Sequence, residues 1–383
     1  MQWQQKMLGE IARLDRQSVM PVNIHADTSY LGLEHIDSDG KIELSENVAS
    51  ADIKSSKFKF SERHILFGKL RPYLRKIARP TFQGVCSTDI IPILPGEELF
   101  RDYLFYFLRT PSMVELATSR CSGANLPRLS PSQLASLQIP LPPLPEQKRI
   151  AKILDAADDL RAKRRESIAQ LDALIQSTFL DMFGDPVMNP KGWEVVSVEG
   201  EISFLTSGSR GWASYYSETG DLFIRIQNLK KGQLDLSDTA FVKAPESAES
   251  KRTQVQPGDV LLSITADLGR SAVVPHGIMK AHINQHLAIL RFKNMNPVFV
   301  SHQLASKGGQ IQFDRLNREG VKAGLNFNDV KSIKLTKPPL DLQQRFASIV
   351  ESIERQKARL RSHLAELDTL FASLQHRAFN GEL

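Results

Sequence analysis

The segment Pro143-Leu-Pro-Glu-Gln147-Lys-Arg149-Ile150 returns as Pro339-Leu-Asp-Leu-Gln343-Gln-Arg345-Phe346, 196 positions later (147 to 343). The register holds onward, pairing Leu171-Asp172 with Leu367-Asp368, Leu174 with Leu370, Ser177 with Ser373 and Phe183 with Phe379. A period this long is not that of a solenoid, whose units run roughly 20–50 residues. It marks a duplicated module, and each copy must fold as a globular part followed by a long helix. Whatever the module does is done at two places, at a set distance.

From Pro145 to Phe183 apolar residues recur at alternating steps of three and four, without an internal glycine or proline. Ile150, Ile153, Ala157, Leu160, Leu171 and Leu174 form the expected seam, widened by Leu154, Ile168 and Ile175 and interrupted by Lys163-Arg164-Arg165. The second copy reads Phe346, Ile349, Ile353, Leu360, Leu367 and Leu370, with Gln356 and His363 as polar interruptions. Pro145 with Glu146 opens the first helix, and Asp341 with Gln344 reads as a capping box on the second. Phe183-Gly184-Asp-Pro186 and Phe379-Asn380-Gly381 close them. Each helix of about 36 residues would be roughly 54 Å long. One apolar stripe on so long a helix needs a partner, and the other copy is the obvious one. A closed symmetric arrangement predicts an antiparallel coiled coil with a globular domain at each end.

The parts before the helices align loosely. Trp3 to Ile11 resembles Trp193 to Ile202 with one insertion, Tyr30 to Ile36 parallels Phe223 to Leu229, and Ile65-Leu-Phe parallels Val260-Leu-Leu. Short apolar runs bounded by Gly, Asp and Pro read as strands and hairpins. Late in each part a short helix is expected, over Tyr103–Leu108 and Val298–Leu304. The expected fold class is α+β: two similar mixed α/β domains with largely antiparallel sheets, separated by the two long helices, with a pseudo-twofold internal repeat. The boundaries read 1–144, 145–184, 185–338 and 339–383.

On these like frameworks the polar residues differ. The first domain carries Lys69, Arg71, Tyr73, Arg75, Lys76, Arg120, Asn125 and Arg128. The second carries Arg210, Trp212, Arg225, Asn228, Lys230, Arg270, Asn284, Gln285, His286, Arg315, Arg318 and Lys322. Arg and Lys neutralise phosphates, Arg reads guanine bidentately, and Asn or Gln reads adenine. The Lys69–Lys76 cluster and Asn284-Gln285-His286 are the stronger candidates, because each packs several such groups beside an expected turn. A net charge of +6 favours a polyanionic partner.

Several chemistries lack their residues. There is no GxxxxGK[ST] phosphate loop and no strand–GxGxxG–helix unit, and no spaced His/Cys set suggests zinc. Cys86 and Cys121 form no CxxC pair and read as small buried residues in a reducing compartment. No run approaches the roughly 20 apolar residues of a membrane span. The expected chain is therefore cytoplasmic, without a catalytic, metal or cofactor site of its own.

The layout resembles the specificity subunit of type I restriction–modification systems. The resemblance rests on Leu144-Pro145-Glu146-Gln147 with Ile150, on Phe183-Gly184-Asp185-Pro186, on Trp193 opening the next domain, and on the repeated helix with its Phe379-Asn380-Gly381 ending. It covers essentially the whole chain, although Leu342 stands where the first copy has Glu146. It implies that each globular part is a target recognition domain reading one half of a split, asymmetric site in double-stranded DNA. The helices would set the gap and dock two modification (methyltransferase) subunits carrying S-adenosylmethionine. Restriction/translocase subunits would bring ATP and Mg, and the setting would be a prokaryotic cytoplasm. The alternatives are the specificity partner of a methylation-only system, and a coiled-coil adaptor whose domains bind proteins. A fused nuclease or methylase would need activity from this polypeptide alone.

Overall fold

The computed structural model describes residues 3–43, 46–51, 53–230, 232–317 and 324–383. It divides into two compact units, Met1–Arg165 with Ser362–Leu383, and Glu166–Arg361. Each unit therefore holds one globular head, part of the helix that follows that head, and part of the other long helix.

In the first unit the head is built on strands β1 (Ala12–Leu14), β2 (Ile65–Gly68), β3 (Ile77–Ala78) and β4 (Ile90–Pro95), lying side by side in the order β1-β4-β2-β3, all antiparallel. In the second, β5 (Ile202–Ser207), β6 (Val260–Ser263), β7 (Ser271–Val273) and β8 (Leu287–Phe292) take the same order, β5-β8-β6-β7. β2 and β6 are buried along their whole length, as expected of short continuous apolar runs. Beside each sheet lies a smaller four-stranded one, which contains a parallel pair: Tyr30–Leu31 with Gly84–Cys86, and Asp221–Ile224 with Ala281–Ile283. A two-stranded ribbon leads into each long helix, Gln5–Met7 with Gln138–Pro140 and Glu194–Ser197 with Lys334–Lys337.

The long helices run Leu144–Phe183 (40 residues) and Leu340–Asn380 (41 residues), roughly 60 Å each at 1.5 Å per residue. Both begin immediately after a proline whose carbonyl accepts the first turn's N–H groups. Pro143 takes those of Glu146 and Gln147, and Pro339 those of Leu342 and Gln343. Asp341 consequently lies inside the first turn instead of capping it. At the far ends, Gly184 (φ 79°) and Gly381 (φ 73°) take the left-handed conformation that lets the last carbonyls be capped. Gly184 N–H donates to Leu180 and Glu382 N–H to Arg377.

The repeated Pro-x-x-Gln motif has a local cause. Gln147 is fully buried: its Oε1 accepts the N–H of Phe100, and its Nε2 donates to the carbonyls of Glu98 and Pro142. Gln343 does the same, accepting from the N–H of Asn296 and donating to Pro338. Phe100 and Asn296 each precede a head helix, Arg101–Leu108 and Pro297–Ala305, so one side chain fastens two helix starts together.

Within each unit the helices pair antiparallel. In the first, Ile150 and Leu154 share a core with Phe371, Leu374, Ala378 and Phe379, together with Ile65, Phe67, Ile93, Tyr103 and Tyr106 of the head. In the second, Ile175, Phe179 and Phe183 pack with Phe346, Val350, Ile353, Phe299 and Leu262. Farther along, the seam becomes ionic in the same way in both units. Arg161 pairs with Asp158 on its own helix and Asp368 on the other, both at 2.6 Å. Lys357 pairs with Glu354 on its own helix and Asp172 on the other, both at 2.5 Å. The three positions of one triad are those of the other displaced by 196 (161 to 357, 158 to 354, 172 to 368).

The seam differs from the sequence expectation where these triads fall. Leu160, Leu174 and Leu370 point outward, each about half exposed. Arg161, Ile175 and Phe371 occupy the inward positions, because one residue along a helix turns a side chain by about 100°. Gln356 and His363 are also exposed and interrupt nothing. Of the other seam positions, Ile150, Ala157, Phe346 and Ile353 are buried, and Ile153, Leu171, Ile349, Leu360 and Leu367 are half-buried.

Candidate nucleic-acid interface

The hairpin between β2 and β3 spans residues 69–76, and its base is pinned. Gly68 N–H donates to the Lys76 carbonyl, Arg71 N–H to Pro127, and the buried Pro72 opens a single 3-10 turn, Pro72–Leu74. Both flanks of that turn are left-handed at non-glycine residues, Arg71 at φ 51° and Arg75 at φ 52°. Such conformations cost an L-residue about 1–2 kcal/mol and persist only where the surroundings enforce them. A bridge from Leu70 to Arg128 joins this hairpin to the loop before the next helix. Asp89 holds the two together, 3.7 Å from Lys69 and 3.2 Å from Arg128.

The second head repeats the device with other residues. The β6–β7 hairpin carries Ala266 at φ 63° and Gly269 at φ 79°, and Thr265 bridges to Gly324. A third loop joins it there, as the Thr265 hydroxyl meets His286 Nδ1 and Gln285 Nε2 lies 3.0 Å from His286 Nε2. Asn284 pairs with Ser209, which brings the neighbouring exposed Arg210 to the same place.

The structure thus gathers Lys69, Arg71, Tyr73, Arg75, Asn125 and Arg128 on adjoining loops of the first head, and Arg210, Arg270, Gln285 and His286 on adjoining loops of the second, where Arg270 is paired with Asp267 on its own hairpin. Other candidates are occupied. Lys76 donates to the Leu33 carbonyl, and Arg120 donates to Ser136. Asn228 is buried, accepts from Arg225 N–H and donates to the carbonyls of Asp235 and Asp238, so it has no edge left for a base. Arg225 pairs with Asp238 at 3.0 Å. The Asn284 side chain is buried and accepts from His286 N–H. Trp212 is buried beneath the surface, its ring 5.4 Å from Phe223 and 5.0 Å from His282. Burial lowers the pKa of that histidine, against the opposing hydrogen bond to Asp221. Lys230 and Arg315 are exposed, apart from these clusters, and Arg318 and Lys322 lie outside the described residues.

Two kinds of residue went unnoticed in the sequence. Asp89 is a carboxylate that organises a cationic loop, and nothing in its neighbourhood signals that. Leu74 and Leu126, at 39% and 46% exposure, are apolar side chains at loop tips. Among the described residues no group of three or more His, Cys, Asp or Glu could hold a metal ion, and no helix is long and apolar enough to cross a membrane. Cys86 is buried, and burial raises its thiol pKa; Cys121 is partly buried, and neither is paired.

Two like heads on a shared pair of helices, with unlike polar loops, define a class of duplicated recognition protein. The match to the model of the type I restriction modification DNA specificity domain covers residues 2–171 and 190–367, and the chain belongs to that family. Among named relatives, the type I restriction enzyme EcoBI specificity subunit of Escherichia coli is 25% identical over 339 residues, 79% of this chain and 69% of that one. The EcoDI specificity subunit of Escherichia coli is 27% identical over 186 residues, 47% of this chain, and the match spans only 41% of that relative's length. In fold the chain is similar to the crystal structure of the type I restriction-modification S subunit from M. genitalium. The TM-score is 0.59 at 15% identity, with 98% of this chain and 96% of the other covered.

Proposed function

We propose that this chain is the sequence-reading, non-catalytic subunit of a type I restriction–modification complex. Each head reads one half of a bipartite, asymmetric site in double-stranded DNA, and the paired helices set the unread gap. Two modification subunits dock along those helices and bring S-adenosylmethionine; restriction subunits, where present, reach the complex through them with ATP and Mg. The observation that carries this reading is the repeated hairpin. The same hairpin turns through left-handed residues in both heads, and it and the loops that join it are furnished with Arg71, Tyr73 and Arg75 in one and with Arg270, Gln285 and His286 in the other. Loops that differ on frameworks that do not are what two different half-sites require, with phosphate contacts setting register and a few side chains choosing bases.

The test is selection of duplexes from a random pool by the full-length chain, followed by exchange of residues 185–338 for those of a relative. Recovery of a split motif whose affinity falls linearly in log–log with salt supports the reading. So does a change confined to one half after the exchange. Salt-insensitive binding, or a change in both halves, refutes it.

A further inference from the structure

The first head's hairpin ends in an apolar tip. Tyr73 is 49% exposed and Leu74 is 39% exposed, and neighbouring Leu126 is 46% exposed on the loop whose Pro127 carbonyl receives Arg71 N–H. Two large apolar side chains held in water on a stiff, strained turn are retained at a solvation cost, the mark of a contact surface. The charges beside them narrow the partner. Arg71 and Arg75 flank the tip, and neither has a carboxylate partner among the described residues, whereas Lys69 and Arg128 nearby share the one carboxylate of Asp89. An apolar wedge between two free guanidinium groups fits a flat apolar surface bordered by anions on both sides. A base step between its phosphates has that chemistry.

We propose that Tyr73 and Leu74 wedge into one base step of the half-site bound by the first head, unstacking it, while Arg71 and Arg75 hold the flanking phosphates. Apolar wedges of this kind open steps and make a sequence's deformability part of what is read. The corresponding hairpin of the second head has no counterpart: Ala266 and Asp267 are exposed at its tip and Leu268 is half-buried. Only one half-site is therefore distorted. The inference rests on the DNA-reading function proposed above and adds an asymmetry to it.

The experiment uses the full-length chain with no methyltransferase present, so that no base is extruded for methylation. Duplexes selected by the chain are resynthesised with 2-aminopurine at successive positions of each half-site. The expected result is a several-fold rise in fluorescence at one step of the first head's half-site and none in the other. Tyr73→Phe keeps that rise. Tyr73→Ala with Leu74→Ala abolishes it and weakens binding about tenfold or more, the loss expected on removing an aromatic stacked on a base. Both positions are exposed, and circular dichroism checks that the variants fold. Bound duplex with no rise at any position overturns the wedge and leaves the DNA-reading function standing. Wild-type chain that binds no duplex at low salt overturns that function and the wedge with it.

Discussion

The ionic triads in the helix seam give the sharpest energetic test. Lys357 has 4% of its side chain exposed, and its ammonium lies between Glu354 and Asp172. Lys357→Met leaves two carboxylates facing each other with only the more exposed Arg361, 3.8 Å from Glu354, beside them. Breaking a buried pair by removing one partner costs ~3–5 kcal/mol. Asp172 is 39% exposed, and water screens part of that loss. About 2–3 kcal/mol is therefore expected. For a unit of this size that lowers the midpoint of its thermal transition by roughly 4–12 °C. Replacing the whole triad, Asp172→Leu with Glu354→Leu and Lys357→Leu, removes the carboxylates along with the cation. That triple variant is expected within ~1 kcal/mol of the parent, or above it, since well-packed apolar groups often equal a buried ion pair. Differential scanning calorimetry on the three proteins decides. A triple variant as unstable as Lys357→Met, or a Lys357→Met variant within about 0.5 kcal/mol of the parent, would refute the reasoning.

Gln147→Leu and Gln343→Leu should each cost about 1–3 kcal/mol in denaturant unfolding, because a buried N–H and buried carbonyls lose their partner; losses typical of an exposed site would contradict that. His302 has no hydrogen-bond partner for its Nε2 and, through burial and the nearby Lys357, a pKa lowered to about 4. The unfolded chain binds that proton first, near pH 6.5, so stability is lost as pH falls from there toward 4. Roughly 2 kcal/mol should disappear between pH 7.5 and 5, and a His302→Phe variant should lose that much less over the same range in urea titrations. Arg71→Gly relieves a left-handed residue at the cost of chain entropy, for a net gain of about 0.5–1 kcal/mol. The same change should weaken duplex binding and flatten its salt dependence by about one phosphate contact; unchanged binding would remove Arg71 from the interface.

The duplication, the two long helices and the paired α/β heads were all legible in the sequence, because apolar spacing and punctuation by Pro and Gly are local signals. The seam was legible only where apolar residues fill it. Spacing drew Leu160, Leu174 and Leu370 inward, although the inward positions nearby belong to charged residues whose partners are remote: Arg161 and Asp368 are 207 positions apart. The loop candidates divide on the same ground. Arg71, Tyr73 and Arg75 look alike in sequence to Lys76 and Asn228. Only the fold shows that the latter two spend their polar atoms on the carbonyls of Leu33, Asp235 and Asp238. The strain at Arg71 and Arg75 had no sequence signal, since neither is a glycine or asparagine.

The glutamine joints at the helix starts bear on how such a chain can change over generations. Gln147 and Gln343 grip only main-chain groups of their heads, the N–H of Phe100 or Asn296 and, in the first copy, the carbonyl of Glu98. Every amino acid supplies those atoms, other than proline at the N–H. The fastening therefore imposes almost no vocabulary on the part it fastens, and a head can be rewritten residue by residue, or traded whole, while its mounting stays the same.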